Sequence, residues 1–199
     1  MKVVLIDSGG ANIGSVRYAL ERLGVDAPLT ADADTIRDAQ RVILPGVGAA
    51  GTAMALLRDR GLVEVIRGLQ QPLLGICLGM QLLFDASEEG GVECLGLLPG
   101  TVSRMRGGDG IRVPHMGWNT ISPTREHALL EGIPRESQAY FVHGYCAPVT
   151  GDTLATCTHG QEFAAVVGRG NRFGAQFHPE RSADVGARLL QNFLSGELA

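Results

Sequence analysis

The chain has 199 residues, 45% of them hydrophobic, which is sufficient for a sizeable core, and we expect residues 1–199 to form a single domain. Its formal net charge of −4 gives no indication of nucleic acid binding. No segment approaches the roughly 20 consecutive apolar residues that a membrane helix needs, so we expect no membrane association.

The four cysteines include no C-x-x-C pair, which argues against a zinc site and against a disulfide framework. We therefore expect free thiols, no metal ion and no cofactor. Free thiols are typical of the reducing cytoplasm, and we expect the protein to be cytoplasmic.

The first predicted elements are a strand and a helix. Apolar residues dominate Lys2–Asp7, and apolar positions recur at helical spacing over about Ile13–Leu23. Asn12 is suited to cap this helix at its N-terminus, and Gly24 is suited to end it. The initial apolar run ends at Asp7 and is too short for the hydrophobic region of a signal peptide.

Two further apolar strands are predicted at Val42–Leu44 and Leu73–Ile76, each followed by a helix. This alternation is typical of βαβ units, whose strands are parallel. Ligand sites in such sheets lie beyond the carboxyl ends of the strands. We therefore expect Asp7, the turn from 45 to 48 and Cys77 to share one edge of the sheet.

The second half of the chain has more short strand-like runs and turns, which indicate antiparallel pairing. The sequence thus predicts an α/β fold with an open, mostly parallel twisted sheet and an antiparallel extension. Gln191–Leu194 are predicted to close a C-terminal helix. The strand-like runs are Thr101–Met105, Ala139–Val142, Ala164–Val167 and Phe173–Phe177.

The most informative segment surrounds Cys77. The preceding run Pro72–Ile76 is predicted to be a buried strand and Leu78–Phe84 a helix, with Gly75 and Gly79 two residues to either side of the cysteine. This is the nucleophile-elbow pattern with a thiol. A helix N-terminus favours a thiolate and offers backbone N–H groups to an oxyanion. The alternative is a small buried core residue, and this spacing alone does not decide between the two.

A second motif, His178-Pro179-Glu180, directly follows the predicted strand Arg172–Phe177. Residues two apart in extended chain point to the same side, so the His178 and Glu180 side chains share a face. Pro179 favours that extended conformation. A carboxylate beside an imidazole orients the ring as the base of a cysteine nucleophile. A solvated pair at a strand end would be the better explanation of this tripeptide in isolation.

Together the two motifs resemble those of the class I, or triad, glutamine amidotransferases, which have a flavodoxin-like fold. Gly75–Gln81 matches the nucleophile motif G-[IV]-C-x-G-x-Q, and His178–Glu180 matches the base motif H-P-E. Val42–Gly48 resembles the strand and turn that supply oxyanion-hole N–H groups in that family. The resemblance implies a glutaminase that releases ammonia from glutamine through a cysteine thioester.

Within that family, Val113–Asn119 and Tyr140–Tyr145 resemble signatures of the HisH group, the glutaminase subunits of imidazole glycerol phosphate synthase. The opening Ile6–Asn12 and the chain length agree with this resemblance. It implies a heterodimer with a HisF-like (β/α)8-barrel cyclase, which uses the ammonia in histidine biosynthesis to make imidazole glycerol phosphate and an aminoimidazole carboxamide ribotide. The alternatives are a glutaminase of another synthase, such as pyridoxal phosphate synthase, a stand-alone cysteine hydrolase, and a non-catalytic protein on the same fold.

The resemblance assigns roles to individual residues of this sequence. Cys77 is implied to be the nucleophile, His178 the acid and base, and Glu180 the carboxylate that orients it. The other implied residues are Gly46, Val47, Gly48 and Leu78 at the oxyanion hole, Gln81, His143, Gly144 and Tyr145 in glutamine binding, and Asn12, Trp118, Tyr140 and Arg181 at the partner interface.

The chain departs from the usual HisH pattern in four places. Ser8 and Ala11 replace a Tyr and a Gly of the first loop, Gly144 replaces a Ser, and Arg181 replaces a Lys. Arginine keeps the charge of lysine but changes the geometry of an ion pair. We expect these changes to affect contacts around the site rather than the triad.

Two other groups of residues are predicted to carry no chemistry. Ser103–Arg112 has three arginines in a glycine-rich turn, which we interpret as a mobile solvated hairpin rather than a phosphate or partner contact. His115, His127 and His159 have no neighbours at metal-ligand spacing, and we interpret them as structural or surface residues.

Overall fold

The computed structural model describes residues 1–9, 13–196 and 198. The predicted helix cap Asn12 and the substituted position Ala11 lie outside the described residues. The strands predicted at Lys2–Asp7, Val42–Leu44 and Leu73–Ile76 are present, and each is followed by a helix. The first helix begins at Ile13, as expected.

From Val3 to Cys77, each strand is followed by one or two helices. In chain order they are β1 (Val3–Ile6), β2 (Leu29–Thr30), β3 (Arg41–Gly46), β4 (Leu73–Cys77), β5 (Phe84–Ser87), β6 (Val92–Glu93), β7 (Leu98–Arg104), β8 (His115–Thr120), β9 (Ser122–Pro123), β10 (Gln138–His143), β11 (Tyr145–Cys146), β12 (Thr153–His159), β13 (Gln161–Arg169) and β14 (Arg172–Ala175). The helices are α1 (Ile13–Arg22), α2 (Ala33–Arg37), α3 (Ala50–Asp59), α4 (Leu62–Arg67), α5 (Leu78–Gln81) and α6 (Ala183–Ser195), with 3-10 turns η1 (Ala128–Leu130) and η2 (Pro179–Arg181).

The central sheet combines parallel and antiparallel strands. In the described part of the chain its order is β2-β1-β3-β4-β14-β13-β12-β9. The neighbouring strands β2, β1, β3, β4 and β14 pair in parallel. Strands β13, β12 and β9 extend the sheet by antiparallel pairing. The predicted α/β fold with an antiparallel extension is therefore confirmed.

Alternation along the parallel strands divides the core between the two faces of the sheet. Val3 and Leu5 of β1 pack in one cluster with α1 and α6. Val4 and Ile6 pack in the other with α2, α3 and α4. Helices therefore cover both faces, which explains why these strands are apolar throughout rather than alternating with polar residues. Among the described residues, no helix is both long enough and apolar enough to cross a membrane.

Two smaller sheets occupy the chain between β4 and β12. β8 and β10 form a two-stranded antiparallel ribbon, and β11, β7, β5 and β6 form a second sheet. The predicted helix Leu78–Phe84 is wrong over its last residues, because α5 ends at Gln81 and Phe84 begins β5. Pairing of Phe84 with Leu98 overrides the helical preference of this leucine-rich run.

Strand register determines what surrounds Cys77 at the end of β4. Gly46 of β3 lies directly opposite Cys77, and the glycine pair Gly75 and Gly79 allows the chain to fold back closely on itself. A Cβ added at Gly75 would lie 2.6 Å from the backbone oxygen of Gly79. A Cβ at Gly79 would meet the Leu44 carbonyl. The glycines of the motif are therefore required by the packing of the turn.

We expect Gly75→Ala to lower the free energy of unfolding by about 1–3 kcal/mol, because the new methyl overpacks the β4–α5 turn. Gly51 of α3 is a matched control, since a Cβ there has open space. Gly51→Ala should leave stability unchanged or raise it by up to about 1 kcal/mol through helix propensity. Urea denaturation of both variants checks this, and equal stabilities for the two would contradict the packing argument.

Candidate active site

Cys77 lies at a backbone position that strains an ordinary side chain. Its φ is 53° and its ψ −110°, at the junction where β4 ends and α5 begins at Leu78. Positive φ is rare for residues other than glycine and is concentrated at functional sites. The Cys77 side chain is 7% exposed, and its thiol donates to the Val142 carbonyl at 3.7 Å. The predicted elbow is therefore present.

His178 joins Cys77 to Glu180. His178 Nδ1 lies 2.8 Å from Glu180 Oε1, and both side chains are buried. The His178 ring and Cys77 line the same cavity, close enough for Cys77 to influence the charge state of the ring. Because a carboxylate only accepts, Nδ1 carries a proton, and Nε2 is the ring nitrogen left for exchange with the thiol.

The charge state of His178 is set by opposing effects. Burial disfavours the charged ring, but hydrogen bonds and charge interactions with Cys77 and Glu180 outweigh it and raise the pKa of His178 to about 10. A protonated ring beside Cys77 favours the thiolate. The three side chains can therefore hold an imidazolium–thiolate pair.

The backbone around His178 is fixed by the ribbon and by α6. His178 N–H donates to the Tyr140 carbonyl at 2.9 Å, and the Ser182 hydroxyl donates to the His178 carbonyl at 2.7 Å. The same hydroxyl accepts from Tyr140 N–H at 2.9 Å. Gly186 of α6 lets the helix approach Pro179 closely, since a Cβ there would meet the Pro179 carbonyl. The backbone that carries the imidazole is therefore fixed by contacts with β10, Ser182 and α6.

A cavity of ≈ 280 Å³ opens beside Cys77 and His178. This volume is slightly below the range of about 300–1,000 Å³ that is usual for small-molecule sites, so the cavity suits a small metabolite. Its lining residues are Val47, Gly48, Cys77, Leu78, Gln81, Glu89, Val142, His143, Gly144, Tyr145, His178 and Arg181.

The turn predicted to form the oxyanion hole lies against Cys77. Gly46 ends β3 opposite Cys77, while Val47 and Gly48 line the cavity, Gly48 with a φ of 98°. Ser8 is buried, and its hydroxyl donates to the Pro45 carbonyl at 2.6 Å. The serine at this departure from the family pattern therefore anchors the start of the turn.

The predicted glutamine-binding residues also line the cavity. Gln81 is 4% exposed, so it is not a surface glutamine, and its Nε2 donates to the Tyr145 carbonyl at 2.9 Å. His143 is buried, and its Nδ1 lies 2.8 Å from the same carbonyl. Gly144 and Tyr145 complete this side of the cavity.

A buried chain of hydrogen bonds leads from His143 into the ribbon. His143 Nε2 lies 3.0 Å from His115 Nδ1, and His115 Nε2 lies 3.2 Å from Asn119 Nδ2. His159 stacks on His115 with ring centroids 4.1 Å apart. Since the Tyr145 carbonyl and the Asn119 amino group fix both ends, each of the bonded rings is neutral, with its hydrogen on Nδ1. The burial of His115 in this chain and the stacking of His159 on it are in line with the structural role predicted for them.

Burial holds this pair of rings in the neutral form. Burial lowers the pKa of His115 to about 4 and that of His143 to about 3. Burial also lowers the pKa of His127, which caps η1 by accepting from Leu129 N–H at 3.0 Å. His127 is therefore structural, as predicted.

The predicted interface residues Trp118, Tyr140 and Arg181 are grouped on one surface. Trp118 is 52% exposed and lies directly opposite Tyr140 in the ribbon, with ring centroids 5.9 Å apart. The Arg181 guanidinium carbon lies 4.3 Å from the centre of the Tyr140 ring. Met116 of the same strand is 65% exposed. The predicted interface residue Asn12 lies outside the described residues.

Sequence reasoning missed several residues of the site. Gln176 is fully buried, and its Nε2 donates to Cys77 Sγ at 3.7 Å. Ser182 holds His178, and Glu89 lines the cavity while accepting from Ala50 N–H at 2.9 Å. The one available signal for Gln176 was a polar residue in the run predicted as a strand, although β14 itself ends at Ala175.

The other cysteines differ from Cys77. All four are free and buried. Burial raises the pKa of Cys94 to about 11 and that of Cys157 to about 12, and it also raises the pKa of Cys146. These thiols therefore stay protonated near neutral pH.

Two further predictions concern the absence of a metal site and the arginine-rich segment Ser103–Arg112. Within the described residues, no group of His, Cys, Asp or Glu is placed to hold a metal ion. The arginine-rich segment is partly strand, since β7 includes Ser103 and Arg104, and Gly108 bridges to Ile111 across its turn.

A larger cavity of ≈ 530 Å³, lined by residues between Pro123 and Arg135, has no lining residue in common with the one beside Cys77.

The sequence and the fold are similar to those of known glutamine amidotransferases. The family model described as glutamine amidotransferase class-I matches residues 4–196. The imidazole glycerol phosphate synthase subunit HisH of Xanthomonas euvesicatoria is 69% identical over 192 residues, which cover 96% of this chain and 96% of that protein. The HisH subunit of Xylella fastidiosa (strain Temecula1) is 59% identical and covers 100% of this chain and 99% of its own.

Solved structures share the fold at low sequence identity. A crystal structure of a glutamine amidotransferase has a TM-score of 0.74 at 23% identity, covering 96% of each chain. The PurLQS structure from Thermotoga maritima has a TM-score of 0.70 at 20% identity, covering 98% of each chain.

We expect His115 and His143 to stay neutral at pH 5 while His178 stays protonated, as observed by NMR of the ring nitrogens. In the unfolded chain histidine titrates near 6.5, so the unfolded state binds more protons below that pH. The free energy of unfolding should therefore fall as the pH drops below 6.5, by on the order of 1 kcal/mol per pH unit for each of the two rings. Titration of either ring near pH 6.5 would contradict the neutral chain.

Proposed function

The chain belongs to the class-I glutamine amidotransferases, and from that premise we propose that it is the glutaminase subunit of an imidazole glycerol phosphate synthase. It hydrolyses glutamine to glutamate and ammonia. The observation that carries the proposal is that Cys77 and His178, itself bonded to Glu180, line one cavity at the carboxyl end of the sheet. Sequence identities of 59–69% to HisH proteins support this choice over other ammonia-using synthases.

The reaction starts from the thiol and its base. Cys77 gives its proton to His178, and the thiolate attacks the side-chain amide carbon of glutamine. His178 then protonates the departing ammonia, which breaks the C–N bond and leaves a thioester on Cys77. Acid–base assistance of this kind contributes about 10²–10⁴-fold in rate. Glu180 keeps the ring in the tautomer and orientation that both transfers need.

Backbone N–H groups stabilise the charge that develops on the amide oxygen. The Leu78 N–H directly follows the nucleophile in the chain. The Gly46-Val47-Gly48 turn, at the end of β3, lies beside Cys77. Each well-placed donor is worth about 10²–10³-fold in rate. Water then attacks the thioester with His178 as base and releases glutamate.

The far side of the cavity binds the amino-acid end of glutamine. Both Nε2 hydrogens of Gln81 are taken by protein acceptors, so its carbonyl oxygen is the group left to accept from the substrate ammonium. The His143-Gly144-Tyr145 segment contributes backbone contacts, since the His143 imidazole already bonds His115 and the Tyr145 carbonyl. Gly144 stands where the usual HisH pattern has a serine, so the serine hydroxyl is lost while the backbone groups remain.

The partner is a cyclase subunit with a (β/α)8 barrel, and the two chains form a heterodimer. It uses the ammonia to make imidazole glycerol phosphate and an aminoimidazole carboxamide ribotide in histidine biosynthesis. Trp118, Tyr140 and Arg181 contact it, together with Asn12. Aromatic and arginine side chains of this kind supply much of the binding energy at interfaces. Arg181 also lines the glutamine cavity, so the interface and the site adjoin.

The whole chain acts as one glutaminase domain. Packing supports this assignment, because the sheet continues from the first strands to β14 next to β4. The free thiols support a cytoplasmic location, where disulfides are rare. Neither the chemistry nor the partner requires a metal ion or cofactor on this chain.

We expect Cys77→Ala to abolish glutamine-dependent synthesis by the complex, because the thioester cannot form. Synthesis from added ammonium should continue, because the cyclase does not use Cys77. Both activities can be measured on the same preparation by following product formation. Retention of glutamine-dependent turnover by this variant would show that Cys77 is not the nucleophile.

We expect Trp118→Ala to weaken binding of the cyclase subunit by about thirtyfold, the effect of losing an exposed aromatic anchor worth at least 2 kcal/mol. Isothermal titration calorimetry measures the dissociation constant. Leu29→Ala is the control, because Leu29 is 42% exposed on β2, an edge strand of the central sheet rather than of the ribbon. If the Trp118 variant bound as tightly as the Leu29 variant, the ribbon would not be the interface.

A further inference from the structure

Strand register brings Gln176 beside the nucleophile. β14 runs parallel to β4 and ends at Ala175, opposite Ile76, so the residues that follow these two, Gln176 and Cys77, lie side by side. Gln176 is fully buried, and its Nε2 donates to Cys77 Sγ at 3.7 Å. On the opposite side of Cys77 lies the glycine turn of β3. The sulfur therefore has a polar neighbour outside the triad.

The direction of the Gln176 amide follows from its neighbours. The Tyr145 carbonyl can only accept, so the Gln81 atom at 2.9 Å from it must be the amino nitrogen. The same nitrogen lies 2.9 Å from the Gln176 side chain, which must therefore present its oxygen there. The Gln176 amino group consequently points at the sulfur.

The donor is held in place by a longer chain of bonds. Gln176 N–H donates to the Ala165 carbonyl at 2.9 Å, which fixes its backbone. Tyr145 O also accepts from His143 Nδ1 at 2.8 Å. The neutral rings described above continue this chain into the ribbon. A buried donor that is already oriented favours an anion more than a mobile one does.

We propose that Gln176 is a further residue of the catalytic site, whose amide N–H stabilises the Cys77 thiolate, and that Gln81 sets the direction of this amide. The inference rests on the proposed function for the identity of the nucleophile. A neutral thiol is a weak acceptor and a thiolate a strong one, so the bond favours ionisation. The pH at which Cys77 becomes reactive should therefore depend on Gln176.

The test is the pH dependence of alkylation of Cys77 by iodoacetamide in the intact chain, with the modified residue identified by mass spectrometry. This reaction needs neither glutamine nor the partner, so its result is independent of the glutaminase assay of the Cys77→Ala variant. Gln176→Met removes the donor at similar volume. Gln176→Glu keeps an acceptor for Gln81 but places a carboxylate at the sulfur.

We expect Gln176→Met to move the midpoint of the pH–rate profile upward by about one unit, so that the rate at the original midpoint falls about fivefold. Gln176→Glu should move it further, because like charges disfavour ionisation. Folded variants whose profiles match that of the unaltered chain would overturn the inference.

Gln161 provides a matched control. Its Nε2 donates to Cys146 Sγ at 3.0 Å, so Gln161→Met removes an amide–sulfur contact away from the cavity. The Cys77 profile should be unchanged in this variant. An equal shift in the Gln161 and Gln176 variants would mean that the effect is a general loss of packing, and the inference would be wrong.

A measurement on the unaltered chain does not depend on the folding of any variant. The side-chain amide protons of Gln176 should change their NMR chemical shift with the same pH midpoint as Cys77 alkylation. Amide resonances that stay constant through that midpoint would overturn the proposal.

Discussion

A positive φ at Cys77 lets the chain pass from β4 into α5 without an intervening loop, and the neighbouring elements are built around that turn. Glycine is needed at Gly75 because a Cβ there would collide with the backbone of Gly79 in α5, and at Gly79 because a Cβ there would meet the Leu44 carbonyl of β3. Gly46 of β3 is needed because a Cβ there would lie 2.9 Å from the Gly79 backbone nitrogen. The strain of one residue is thus stabilised by the close packing of β3, β4 and α5.

The turn at Cys77, the pairing of His178 with Glu180 and the parallel half of the sheet could be predicted because their signals are local. A continuous apolar run identifies a strand covered on both faces, and a glycine-flanked cysteine at its end identifies the turn. His178 and Glu180 are two residues apart in extended chain, so their proximity follows from backbone geometry. The placement of His178 in the same cavity as Cys77, about a hundred residues away, required the parallel pairing of β14 with β4.

The features that sequence reasoning missed depend on long-range register. Gln176 lies beside Cys77 only because β14 pairs with β4, and the sequence alone does not show which strands pair. The helix predicted over Leu78–Phe84 ends early because Phe84 pairs with β7, which is distant in sequence. Asn12 was assigned by family pattern, and its place lies outside the described residues. Ser8 compensates locally for a departure from that pattern by bonding to Pro45.

The raised pKa values of Cys94, Cys146 and Cys157 have a practical consequence. Three sulfurs remain in the unreactive thiol form, while the fourth faces a cavity and a protonated imidazole. One equivalent of a small electrophile per chain is then a stoichiometric titrant, and the amount consumed counts the competent molecules in a preparation. A fluorophore or spin label can be attached at this single position without first deleting the remaining cysteines.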